Sequence, residues 1–108
     1  MKPMLSLVLA AVLCGTVVNS QAATDPAQIA AKSGCLACHM VDKKLVGPSY
    51  RDIAQKYKGN AGAQAALVAR LRTGGKGVWG EVQMPAAAPA LINDADLKAV
   101  IAWVLKTP

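Results

Sequence analysis

The sequence predicts a small all-α domain of about four helices. Three observations carry that reading. First, apolar residues recur at helical spacing: Tyr50, Ile53, Ala54 and Tyr57 share one face, as do Leu97, Val100, Ile101 and Val104. Second, no run alternates in strand fashion for long, and the β-branched residues are scattered. Third, 54% of the 108 residues are hydrophobic but only 4% are aromatic, with no Phe. Alanine dominates the apolar count. So short a chain, with so few large side chains, cannot easily fill a sizeable core alone. Small domains of this kind add a disulfide, a metal or a cofactor. The length also excludes a multidomain enzyme.

Residues 1–23 read as a cleaved secretory signal peptide. Lys2 supplies the positive start, and Met4 to Val18 is apolar apart from Ser6, Gly15 and Thr16. Ser20-Gln21-Ala22-Ala23 offers small residues for cleavage after Ala22 or Ala23. The apolar stretch is 15 residues, shorter than the ~18–20 of a spanning helix, so no stable membrane insertion is expected. Cys14 does not read as a lipid-attachment site, because Leu13 stands where that signal wants a small residue. Residues 24–108 then form the exported domain, and cleavage leaves Cys35 and Cys38 as its cysteines.

The first helix opens at Asp25-Pro26, a capping residue followed by Pro at the first helical position, and runs toward Ser33-Gly34. Gly47-Pro48-Ser49 precedes the second, which carries the Tyr50 face and ends at Gly59. The third spans Ala61 to Thr73, with Ala63, Leu67 and Leu71 four apart, and stops at Gly74-Gly75. The fourth starts at Asn93, an N-cap, with Asp94 and Asp96 in its first turn. Between the last two lies a Gly- and Pro-punctuated loop, Gly74 to Ile92, of nearly twenty residues. Loops that long in small domains are usually functional.

The chemistry sits in Cys35-Leu36-Ala37-Cys38-His39. C-x-x-C-H is the attachment signature of c-type haem. On a helical turn Cys35 and Cys38 are i and i+3, so both sulfurs point to one side and can form thioethers to two vinyl groups on one porphyrin edge. His39 is carried over the same ring and can place its imidazole on the iron. A zinc site needs four ligands, and these three have no further Cys or His in the exported part. A thioredoxin-type pair expects a βαβ context that the helical pattern denies. A disulfide across two residues would staple almost nothing.

The sixth iron position can then be filled by Met, by Lys or by nothing. Met40 is next to His39 and cannot reach the other face of the ring. Met84 lies 45 residues beyond His39, in the long loop, as Val82-Gln83-Met84-Pro85. Its soft thioether suits haem iron and raises the reduction potential. Its alternative use is core filler, but it sits on a loop, not on a helix stripe.

Five stretches occur in order along the exported chain. They are Gly34 to His39, Val46-Gly47-Pro48-Ser49-Tyr50 with Asp52, Gly77-Val78-Trp79-Gly80, Met84-Pro85, and Ala102-Trp103-Val104-Leu105. In these the chain resembles the small class I bacterial cytochromes c of the cytochrome c-551 group. The resemblance implies the class I cytochrome c fold, wrapped around one covalently bound haem c. It implies that Cys35 and Cys38 hold the haem, that His39 and Met84 are axial, and that the Pro48 carbonyl accepts the His39 ring N–H. It also implies that Arg70 and Trp79 donate to the haem propionates. Arg suits that task because it gives charge-assisted hydrogen bonds, and a Trp among loop glycines suits a flat ligand better than a helix interface.

The chain departs from the group in two places. Ala86, Ala87 and Ala88 follow Met84-Pro85, where the group has an Asn that supports the Met sulfur. Ala30 stands where the group often has an aromatic, so the terminal helices should pack more loosely and lean on Trp103.

Twelve Lys and Arg against six acids give a formal +6, or +5 without Lys2. An exported chain with no aromatic-interleaved basic run is not expected to bind nucleic acid. Lys32, Lys43, Lys44 and Lys76 lie near the haem-binding segments in sequence and would steer acidic partners. The expected protein is a monomeric periplasmic electron carrier, not an enzyme. Its partners would be redox complexes such as a nitrite reductase, a terminal oxidase, a peroxidase or a cytochrome bc complex. The alternative is a five-coordinate haem enzyme or gas sensor.

Overall fold

In the computed structural model, Gly15, Thr16 and residues 24–108 are described. The leader expected over residues 1–23 lies, apart from those two, outside them. Four helices follow in order: α1 Pro26–Lys32, α2 Tyr50–Lys56, α3 Ala63–Thr73 and α4 Asp94–Leu105. A short 3₁₀ turn, Cys35–Ala37, sits between α1 and α2. Among the described residues the extended pairing is a single bridge, Gly75 with Met84. This is the all-α class expected.

The helix starts follow from side chains that satisfy orphan N–H groups. The Asp25 carboxylate accepts from the Ala27 N–H at 3.1 Å, with Pro26 at the first position. The Ser49 hydroxyl accepts from Asp52 N–H at 3.0 Å, and the Asn93 side chain accepts from Asp96 N–H at 2.8 Å. α3 differs from expectation. It begins at Ala63 and not at Ala61, because its N-cap is Gly62, which has no side chain to cap with. Asn60 instead closes a turn there, accepting the Gly62 N–H at 3.0 Å.

α4 is the hub, since α1, α2 and α3 each pack on it. Its stripe of Leu97, Val100, Ile101 and Val104 is buried throughout. Each such side chain removed from water stabilises the fold by ~1.5–3 kcal/mol. Ile29, Tyr50, Leu67 and Ile92 complete the core. Ala30 is wholly buried, at 0% exposure. Trp103 packs on this core, and its ring meets Tyr50 of α2 edge-on, with centroids 5.3 Å apart.

Candidate cofactor cleft

The 3₁₀ turn supplies the geometry that the C-x-x-C spacing needs. In a 3₁₀ helix residues i and i+3 eclipse, so Cys35 and the capping Cys38 fall on one side. Both thiols are free and half-buried. Burial pushes the Cys35 thiol up from its ordinary value, against a smaller opposing hydrogen bond from its own backbone. Reactive or zinc-binding cysteines are held as thiolates. The Cys35 shift runs the other way from such sites.

His39 is held from three sides. Its Nδ1 lies 2.7 Å from the Pro48 carbonyl oxygen. A carbonyl only accepts, so Nδ1 carries the proton and Nε2 keeps the lone pair a metal needs. Tyr50 stacks on the ring, with centroids 5.6 Å apart and planes 23° from parallel. The backbone of Gly47 passes so close that a Cβ there would sit 2.5 Å from the His39 Cε1. Backbone bonds tie the same stretch together: Gly47 N–H to Cys38 O at 2.8 Å, Tyr50 N–H to Met40 O at 2.9 Å, and Arg51 N–H to Val41 O at 3.0 Å.

Met84 comes from the long loop between α3 and α4. Gly75 and Met84 exchange two backbone bonds, of 3.0 and 2.9 Å. Ala87 N–H donates to Leu71 O at 2.7 Å. Gly74 has φ 68°, the left-handed region that favours glycine.

One open cleft gathers these segments. Cys35, Cys38, His39, Pro48, Arg70, Trp79 and Met84 all line it, with a volume of about 270 Å³. Arg70 uses one guanidinium N–H on Lys76 O, at 3.1 Å, and Arg carries five such donors. Trp79 is 42% exposed, and Lys56 Nζ sits 5.3 Å from its ring centroid. Lys44 and Lys76 reach the cleft wall, whereas Lys32 and Lys43 do not.

Several lining residues that sequence reasoning did not assign to a site belong to the core or pack against it. Leu67, Leu71, Val100, Ile101 and Val104 turn the inner faces of α3 and α4 toward the cleft, and their helical stripes were the available signal. Tyr50 is another. Its hydroxyl is buried without a hydrogen-bond partner. Burial, and secondarily the nearby Cys35 thiol, raise its pKa to about 12.

The residues fit a haem. Two free cysteines and an imidazole with a free Nε2 stand on the wall of a mostly apolar cleft, beside an orphaned hydroxyl. An apolar cleft of this kind exposes the inner faces of α3 and α4 to water unless a flat apolar group covers them.

Comparison with known proteins decides the family. The family model described as cytochrome c matches residues 23–108. The chain belongs to the cytochrome c family. It is similar to cytochrome c2 of Rubrivivax gelatinosus, with 53% identity over 83 residues, 77% of this chain and 98% of that protein. It is also similar to cytochrome c-551 of Pseudomonas aeruginosa, with 42% identity over 106 residues and 97% of each chain. The crystal structure of wild-type Nitrosomonas europaea cytochrome c552 superposes with TM-score 0.68 and 40% identity, covering 76% of this chain and 99% of that one. These relatives place the chain among the small class I c-type cytochromes, with their all-α fold. Membership in the cytochrome c family implies covalently bound haem c and electron transfer with redox partners. Among the described residues no helix is long and apolar enough to cross a membrane.

Proposed function

We propose that the chain is a periplasmic carrier of one electron, built on a single haem c and six-coordinate through His39 and Met84. Cys35 and Cys38 hold the haem by thioethers. Haem supplies one iron that takes up and returns a single electron. His39 keeps Nε2 directed at the metal because Pro48 holds Nδ1–H. Met84 offers the soft thioether that favours the ferrous state. Arg70 and Trp79 donate to the propionates, and the apolar faces of α3 and α4 exclude water. With the sixth position filled there is no open site for a substrate, so the protein is a carrier and not an enzyme.

The observation that carries this reading is that Met84, from a loop 45 residues beyond His39, lines the same cleft as Cys35, Cys38 and His39. Residues 1–23 act as a cleaved leader, which delivers the chain to the periplasm as a monomer. The cytochrome c family match, which begins at residue 23, supports a domain boundary there. Redox complexes such as a nitrite reductase, a terminal oxidase, a peroxidase or a cytochrome bc complex are its partners.

The test is the ferric absorption spectrum of the exported holoprotein, beside Met84→Ala. The wild type should show the weak thioether-to-iron charge-transfer band. Met84→Ala should lose it, fall in reduction potential and gain affinity for small ligands. A wild type without the band at neutral pH would move the assignment to a five-coordinate haem enzyme or sensor.

A further inference from the structure

We propose that Arg72 is a positioning residue for Met84, holding the loop behind the methionine so that the thioether stays in the cleft. The proposal rests on the reading of Met84 as the distal iron ligand. Arg72 lies in the last turn of α3, outside the cleft lining. Its Nη1 donates to Ala87 O at 2.8 Å and to Ile92 O at 2.9 Å, and its Nη2 donates to Asp94 Oδ1 at 2.6 Å. One guanidinium therefore ties α3, the loop and the start of α4 together.

Two features make this grip matter. Among the described residues, no other side chain hydrogen-bonds to residues 82–92. Between Met84 and the buried Ile92 the loop also has little to anchor it by packing, since Ala86 and Ala88 are small and exposed and Ala87 alone of the three packs toward the core. Ala87 is thus pinned twice, by its N–H to Leu71 O at 2.7 Å and by its carbonyl to Arg72. It stands three residues after Met84, whose own backbone is bonded to Gly75. The Arg72 side chain is 17% exposed and Asp94 is 79% exposed. The ion pair is therefore largely screened, and the two carbonyl bonds are the effective part. Losing a hydrogen bond from a charged donor shifts a local equilibrium by about tenfold or more.

The experiment is imidazole binding to the ferric holoprotein, which requires Met84 to leave the iron. Apparent affinity rises in proportion to the fraction of molecules with the methionine released. Arg72→Met should bind imidazole about tenfold more tightly than wild type and lose the charge-transfer band at correspondingly lower imidazole. Arg72→Lys, which keeps the stem and charge but not the fork, should fall between them. Asp94→Asn should stay within about twofold of wild type, because the carbonyl bonds survive. Met84→Ala marks the ceiling of affinity.

Wild-type affinity in Arg72→Met, with Met84→Ala raised, overturns the role of Arg72 alone, even if the melting temperature falls. If Arg72→Met yields no holoprotein, wild-type affinity in Arg72→Lys does the same. An Asp94→Asn protein that matches Arg72→Met overturns the carbonyl grip in favour of the ion pair. Wild-type affinity in Met84→Ala overturns the Met84 reading itself.

Discussion

Residues 35–50 and residues 74–92 line one cleft but are held in different ways. In the first stretch His39 is fixed by the Pro48 carbonyl, by Tyr50 stacked on it and by Gly47 pressed beneath it. In the second, the Met84 backbone is bonded to Gly75, Ala87 behind it is doubly pinned, and Val78, Trp79 and Val82 are all exposed. On the proposed function, the dense wall would hold the permanent ligand and the loop the weaker, exchangeable one. A carrier gains from that division. The histidine wall fixes a geometry that need not reorganise, while the loop tunes the potential through one adjustable contact.

The comparison can be broken outright by removing what anchors the dense wall to its cofactor. Cys35→Ala with Cys38→Ala should abolish covalent haem, and mass spectrometry should find bare peptide. The haem-free chain should also be largely unfolded, because its few large side chains leave the apolar walls of the cleft uncovered. Circular dichroism showing native helix content and a cooperative melt in that chain would refute this.

A methyl group on each wall sharpens the contrast. At Gly74 an added Cβ would meet Met84 O at 2.6 Å and Ala86 N at 2.7 Å, with φ 68° besides. Gly74→Ala should therefore lower stability by about 2–5 kcal/mol. It should remove the thioether band while leaving histidine ligation intact. Gly47→Ala should cost about 1–3 kcal/mol, since the His39 ring must give way. Its mark should be a changed reduction potential with the band retained. Spectra of the two variants that cannot be told apart would erase the distinction between the walls.

The smallest expected effect compares charge at the two rims. Lys76 is partly neutralised by Glu81 at 3.4 Å, whereas Lys44 has no such partner among the described residues. Lys44→Glu should slow electron transfer to an acidic redox partner more than Lys76→Glu does. Both differences should shrink as salt screens them. Stopped-flow rates that stay flat across ionic strength in all three proteins would count against steering.

Much of this was legible in the sequence, and for local reasons. Asp25, Ser49 and Asn93 announce helix starts because their caps act within three residues. The stripe from Leu97 to Val104 announces a buried face. C-x-x-C-H carries its own geometry in five residues. The 3₁₀ turn was not legible, since three residues show no period. The start of α3 was misplaced by two residues because Gly62 carries no capping signal. Arg72 escaped notice because its acceptors lie 15 to 22 residues away, a distance over which spacing says nothing about contact.

The separation between His39 and Pro48 also bears on the order of events as the chain matures. These two residues are nine apart, while His39 and Met84 are 45 apart. Chain closure over the longer span costs roughly 1.4 kcal/mol more, about a tenfold handicap. The histidine pocket therefore assembles early, from neighbours along the chain. On the proposed function, the methionine would arrive last, and until the loop closes the cofactor would be held from the histidine wall alone.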